Sequence, residues 1–309
     1  IFLPPRLQKI EELTFCRCKN LKNVSLSESS ELYSIEPSAF YETPLETIYF
    51  PPKLKELSSD WSCNTPKLTN IKISPNNPYF RFIENKYLVG KSDDSKDNFD
   101  ILYLVRRDVE NIVVPLNIRI LSSFVFAWCE KLKTVNFAPN SGLISICTYA
   151  FSHSSIEELF IPAKVSEINE GWFSGTKNFV SILVSPENKN FKFVNNSILL
   201  YKTDKTKNEF DTIAFASRTI DKIIIDQNIT RISSHAFCDC SKLESIEFSE
   251  NSKVNSIEKY TFAFSSIKNV SIPDEITSIE LGTFYSCDKL QDVYFSQNSK
   301  LTKFSEEAF

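Results

Sequence analysis

The side chains with the most obvious chemical reach in this 309-residue chain are eight cysteines, two histidines and one acidic run, Asp93-Asp94-Ser95-Lys96-Asp97-Asn98. A thiolate beside an imidazole would make a nucleophile. Clustered Cys and His would hold zinc, and oxygen ligands at alternate positions would cradle calcium. Spacing argues against each. Cys18, Cys129, Cys240 and Cys287 stand three residues before a recurring Leu; Cys16, Cys63 and Cys238 stand five before it; Cys147 lies apart, just ahead of Ala150-Phe151. One unit after Cys18, Cys129 and Cys240, the matching positions hold Glu42, His153 and Phe264, so stacking brings no two thiols within the roughly 7 Å between Cα atoms that a disulfide spans. These spacings predict free thiols buried at a turn corner, and eight cysteines without a disulfide framework fit a reducing compartment. His153 and His235 occupy different positions of the pattern and read as exposed turn residues, not zinc ligands. In the acidic run Asn98 stands where a calcium loop needs Gly and Leu104 where it needs Glu, and the sister loop Thr203–Glu209 loses the pattern. The run reads as a solvated hairpin tip. No Gly-x-Ser-x-Gly elbow and no Gly-x-x-x-x-Gly-Lys loop occurs. The expectation is a protein that is not an enzyme and has no catalytic residue, cofactor or metal site. Four Asn-x-Ser/Thr sequons, at Asn23, Asn195, Asn228 and Asn269, become glycan acceptors if the chain is secreted.

The cysteines are regularly placed because the whole chain repeats. Each unit reads Cys-x-x-Leu-x-x-Ile-x-Phe, a polar bend, an apolar residue, then Ile-x-x-x-Ala-Phe, as in the stretch from Phe237 to Phe262. The central residues of the Leu-x-x-Ile-x-Phe cores are Ile1, Val24, Ile48, Ile71, Ile112, Val135, Leu159, Ile182, Ile223, Ile246, Val270 and Val293. They advance by 23, 24, 23 and 41 residues, and this four-step cycle then recurs. One full cycle on, Ser74–Phe126 aligns without a gap to Ser185–Phe237, so the tract looks like a duplicated block with one elongated unit. A fixed period of this kind is the signature of a stacked array.

Each core alternates apolar and polar residues, the pattern of a half-buried strand. Parallel strands need a return segment, and the Ile-x-x-x-Ala-Phe stretch supplies it; Pro37 within one copy suits the first turn of a short helix or 3₁₀ segment. A Phe closes most units: Phe40, Phe126, Phe151, Phe173, Phe237, Phe262, Phe284 and Phe309. The elongated units carry insertions at roughly 76–110 and 187–221, each reading as a β-hairpin: Tyr87–Val89 with Ile101–Leu104, and Ile198–Leu200 with Thr212–Phe215. The predicted fold is a leucine-rich-repeat solenoid over residues 1–309: a curved parallel β-sheet of about twelve strands, short helical or 3₁₀ turns on the convex side, and two inserted β-hairpins projecting from it. The chain begins without Met at Ile1 and ends at Phe309, both in mid-repeat, which reads as a fragment of a longer protein.

Between the two inward residues of each strand lies an outward one. Down the array these are Phe2, Ser25, Tyr49, Lys72, Val113, Asn136, Phe160, Leu183, Ile224, Glu247, Ser271 and Tyr294. More than half are apolar or aromatic where polar residues belong, and recurrent exposed apolar surface marks an interaction site. Tyr49, Val113, Phe160, Leu183, Ile224 and Tyr294 are therefore the expected contact stripe for a protein or glycoprotein ligand. A net charge of −4 without a basic run lacks the footprint of a nucleic-acid partner, and the apolar runs are too short to insert into a membrane as a helix.

Cys240-Ser-Lys-Leu243-Glu-Ser-Ile246-Glu-Phe248 with Ile257-Glu-Lys-Tyr-Thr-Phe262, and Ile272-Pro273 with Ile276-x-x-Ile279, resemble the BspA-like, treponema-type leucine-rich repeats. The resemblance covers essentially the whole chain, but the position of the usual Asn ladder holds Ser29 or Lys53. It implies a cell-surface or extracellular protein that adheres to host matrix, host cells or other microbes. The alternative is a cytoplasmic scaffold for protein–protein interaction built on the same solenoid.

Overall fold

The computed structural model describes residues Ile1–Phe309. It comprises two compact units, the first Ile1–Ile156 with Glu167–Phe173 and the second Glu157–Ser166 with Ser174–Phe309. Each is a parallel β-solenoid. All its regular elements are strands, and no helix is long and apolar enough to cross a membrane.

The main ladder follows from alternation. In Asn111–Val114, Ile112 and Val114 are buried while Val113 is 60% exposed. The pairing register is the one the period predicts, since a one-residue slip would turn every inward side chain outward. In the first unit Ile48 faces Ile71 and Ile112 faces Val135; in the second Leu159 faces Ile182, Ile223 faces Ile246 and Val270 faces Val293. The ladder breaks at each elongated step: Asn70–Ile73 does not pair with Asn111–Val114, nor Ser181–Val184 with Lys222–Ile225. Below the main ladder run stacked rings. Phe151 lies between Phe126 and Phe173 at centroid distances of 4.8 and 4.9 Å, and Phe262 lies between Phe237 and Phe284 at 5.4 Å each. All six are buried.

The return segments are not the short helical or 3₁₀ turns that the sequence suggests. Each holds a two-residue strand, such as Ser34–Ile35 or Ser145–Ile146, in a second parallel ladder. A run of tight turns follows, with two residues of positive φ four positions apart: Leu13 and Arg17, Ser38 and Glu42, Tyr149 and His153, Tyr260 and Phe264. A left-handed residue ends any helix, and outside glycine it costs about 1 kcal/mol or more. Hydrogen bonds hold it. Thr14, Cys16 and Cys18 donate back three residues, to Glu11, Leu13 and Phe15, whereas Leu13, Phe15 and Arg17 donate to Pro37, Ala39 and Tyr41 of the next coil. Alternate N–H groups thus point along the stack, which a helix cannot arrange. At two of these left-handed positions a neighbouring ring lies over the backbone and glycine is required: a Cβ at Gly171 would meet Tyr149, and one at Gly282 would meet Tyr260, at 2.2 Å.

Both expected hairpins form, Tyr87–Gly90 with Ile101–Val105 and Ile198–Tyr201 with Thr212–Ala216, and each gains a third strand. Each insertion is a three-stranded antiparallel meander: Phe80–Ile83, Tyr87–Gly90 and Ile101–Val105 in the first unit, Phe191–Val194, Ile198–Tyr201 and Thr212–Ala216 in the second. The last strand of each joins the second ladder, Leu102 facing Leu121 and Ile213 facing Ile232. Burial of Tyr87, Leu88, Leu102 and Leu104 draws the first meander into the core. Each entry is anchored by one fully used amide. Asn77 Nδ2 donates to the carbonyls of Pro51 and Leu54 at 2.8 and 2.9 Å, and its Oδ1 accepts from Tyr79 and Phe80. Asn188, its counterpart in the second block, does the same with Pro162, Val165, Asn190 and Phe191.

Candidate functional site

The outward face of the main ladder is the place to look for a partner site, because strand alternation exposes one side chain per coil there. In the second unit Phe160 is 40% exposed and Leu183 62%, and the two are register partners on adjacent strands. They form one apolar patch. Ile224 is exposed, but its register partner is Glu247, while Tyr294 stands beside Ser271. Two polar rows thus separate Ile224 from Tyr294. In the first unit Val113 is exposed with Asn136 as its partner. Tyr49 is half-buried: its hydroxyl donates to the Glu28 carboxylate, which also accepts from Ser74 Oγ at 2.8 Å. Partial burial, and then the neighbouring carboxylate, push the Tyr49 phenol pKa up. It is tied to its own coil more than offered to solvent.

The sequons sit on reachable positions. Asn23, Asn195, Asn228 and Asn269 are all exposed. Asn195 and Asn196, both at φ +51, make the tight turn between the first two strands of the second meander, closed by the Ser197 N–H donating to Val194. Asn is among the residues that tolerate this left-handed pair.

The remaining chemical candidates are accounted for by packing. All eight cysteines are free; Cys63, Cys129, Cys238, Cys240 and Cys287 are buried and Cys16 and Cys147 half-buried, but Cys18 is exposed, against the expectation of uniform burial. Burial pushes the Cys63, Cys129, Cys238, Cys240 and Cys287 thiols up, which holds them protonated and poor as nucleophiles. At Cys238 the Asp239 carboxylate adds to the effect. His153 is exposed and stacks on Trp128, with centroids 4.1 Å apart. His235 is buried against Tyr260, contrary to the exposed turn expected, because the next coil's ring covers it. In the acidic run Asp93 accepts from Ser95 and pairs with Lys96, Asp94 pairs with Lys55, and Asp97 pairs with Lys91. The Ser95 hydroxyl, and then Lys96, hold the Asp93 carboxyl at a pKa of about 2. The loop's carboxylates are taken up by its own hydroxyl and lysines and by Lys55.

Sequence reasoning passed over two pairs of buried polar residues. Asn77 and Asn188 are one; Arg107 and Arg218, likewise counterparts in the duplicated blocks, are the other. Arg107 donates through Nη1 to the Val125 carbonyl at 3.1 Å and to Cys129 Sγ at 3.4 Å; Arg218 reaches Cys240 Sγ at 3.6 Å and lies over the Phe215 ring. Their identity at equivalent block positions was the available signal. Cross-coil ion pairs such as Lys133–Glu110 and Lys268–Glu244 are exposed, where solvent screening leaves such pairs little net weight.

Comparison with known proteins agrees with this geometry. The sequence matches the BspA type leucine rich repeat region in six copies, over residues 1–87, 103–217 and 208–309. No curated protein matches it. Among solved structures, a leucine rich cell surface protein from Faecalibacterium prausnitzii is similar at a TM-score of 0.55 and 19% identity, over 99% of this chain and 88% of that one. The pneumococcal vaccine antigen PcpA gives 0.55 and 15%, over 99% and 75%. A leucine-rich repeat protein from Eubacterium ventriosum gives 0.52 and 15%, over 99% and 84%. At these identities the likeness shows the fold.

Proposed function

Because this chain belongs to the BspA-type leucine-rich repeat family, we propose that it is a non-enzymatic protein-interaction module that adheres, at a cell surface, to a protein or glycoprotein ligand. The observation that carries the reading is the exposed Phe160–Leu183 pair, where alternation and solvent call for polar residues. An aromatic ring beside a branched aliphatic chain is the kind of anchor that dominates interface energy, at about 2 kcal/mol or more per hot spot. Ile224 and Tyr294 on the same ladder, and Val113 and Tyr49 in the first unit, are the secondary contacts of this reading. Two of the similar structures are a cell surface protein and a vaccine antigen, which supports a surface location.

The test uses a panel of immobilised extracellular-matrix glycoproteins. Phe160→Ser is expected to weaken binding to whichever member is recognised at least tenfold, about 1.4 kcal/mol. The melting midpoint should stay put, since the ring points away from the core. Binding to no panel member, or binding that survives the substitution in a stable protein, overturns the reading.

The free thiols favour a second reading, an intracellular scaffold. Intact-mass analysis of native protein separates the two. A secreted chain is expected to carry hexose-bearing Asn at one or more of Asn23, Asn195, Asn228 and Asn269; bare Asn at all four, with eight thiols titrating under denaturant, favours the scaffold.

A further inference from the structure

The two blocks are built alike, yet one buries a ring that the other lacks. In the gapless alignment of the blocks, Tyr87 of the first unit corresponds to Ile198 of the second and Val113 to Ile224. Tyr87 is buried at 2% exposure, and its hydroxyl donates to the Val113 carbonyl at 2.8 Å. The ring occupies the gap left where the main ladder breaks, because Asn111–Val114 has no strand paired on its leading edge. Lys222–Ile225 starts its ladder in the same way. There Ile198 ends short, and a cavity of about 730 Å³ opens between the Asn195–Asn196 turn and that strand, walled by Ile198, Leu200, Ile220, Ile223 and Ile224.

The surrounding residues register the loss. Val89, Val109 and Ile112 are buried in the first unit; their counterparts Leu200, Ile220 and Ile223 are only half-buried. The two Val-to-larger changes add methyl or methylene groups without closing the space. Asp221, Lys222 and Glu247 stand at its rim. The volume lies in the range of ligand pockets, roughly 300–1,000 Å³, and exceeds a single phenol ring. Its occupant therefore extends beyond the ring into polar surroundings.

We propose that this cavity is a binding site for a tyrosine side chain of a protein partner, which supplies in trans the phenol ring that Tyr87 supplies within the first unit. The partner's ring packs on the isoleucine wall, and its hydroxyl donates to the Ile224 carbonyl as that of Tyr87 donates to Val113. The rim charges face the polypeptide that carries the ring. The proposal rests on the reading that the outward face of the second unit contacts protein, and Ile224 belongs to both.

Two small probes test the cavity without any partner: p-cresol and N-acetyl-tyrosinamide, titrated calorimetrically into the full chain. One site per chain is expected, with N-acetyl-phenylalaninamide bound at least about tenfold more weakly because it leaves the carbonyl unpaired. Ile198→Tyr puts the chain's own ring where the partner's phenol would sit; it should abolish probe binding and raise the melting temperature by itself. Leu200→Phe, which also narrows the cavity, should lower probe affinity and stands in if Ile198→Tyr does not fold. No binding to the wild-type chain, binding undiminished by either filled variant, or equal affinity for the Tyr and Phe amides overturns the proposal. The matrix-glycoprotein panel read with Phe160→Ser is independent of Ile198. Loss of panel binding there with no p-cresol site refutes the pocket alone, whereas a p-cresol site with no panel member bound refutes the protein partner.

Discussion

Phe151→Ala is expected to lower the free energy of unfolding by about 3–5 kcal/mol. The ring is fully buried and stacked on both sides, within 13° of parallel to Phe126 and 11° to Phe173. Truncation removes contacts to two coils at once and leaves a void between the Phe126 and Phe173 rings. All three tryptophans, Trp61, Trp128 and Trp172, lie in the first unit, so Trp fluorescence during a urea melt reports its unfolding directly. A loss below about 1 kcal/mol, the size of an ordinary point substitution, would mean that the Phe column carries no core energy.

Asn77→Ala is expected to cost about as much, although it removes only a few atoms. The amide ties four backbone groups: two carbonyls of the preceding Pro51–Leu54 bend, of which Pro51 also accepts from the Leu54 N–H, and two N–H groups at the start of the meander. Each backbone group left buried and unpaired costs about 1–3 kcal/mol, so a loss of about 3 kcal/mol or more is expected even with partial hydration. Asn77→Asp makes the sharper control. A carboxylate accepts from both N–H groups but repels both carbonyls, and protonation restores a single donor. The Asp variant should therefore regain part of its stability as pH falls, and the Ala variant should not. Parallel pH profiles for the two variants would remove the amide from the account.

The fold was legible because it is written twelve times. Ile48 faces Ile71 and Ile246 faces Val270 as the steps of 23 and 24 residues require. The return turns were not legible, since bulky residues such as Leu13, Tyr149 and Phe124 take positive φ where propensity forbids it. Hydrogen bonds to the next coil hold them there, and no single unit contains that information. The extra meander strand was written in Phe80-Arg-Phe82-Ile83, an alternation too short to stand out. For the candidate site, alternation marked Phe160, Leu183, Ile224, Val113 and Tyr294 as outward. It could not show that Glu28 ties down Tyr49. The Tyr87–Ile198 difference was visible in the duplicated blocks, but only the ring's hydrogen bond to Val113 gives it meaning.

Hydrogen bonds that run from each coil to the next also set how the chain would bear load. Within a unit, tension along the stack meets one coil's bonds at a time, because the backbone bonds between coils join immediate neighbours, forward as from Leu13 to Pro37 and backward as from Glu36 to Ile10. A peeled coil of ordinary length releases 23 or 24 residues, against 41 at an elongated unit. At about 3.3–3.6 Å per extended residue, an ordinary coil gives roughly 80 Å of new length per event. A tether built this way lengthens in regular steps while the coils behind the break remain folded. That property follows from the bonds between coils alone and owes nothing to the side chains of the outward face.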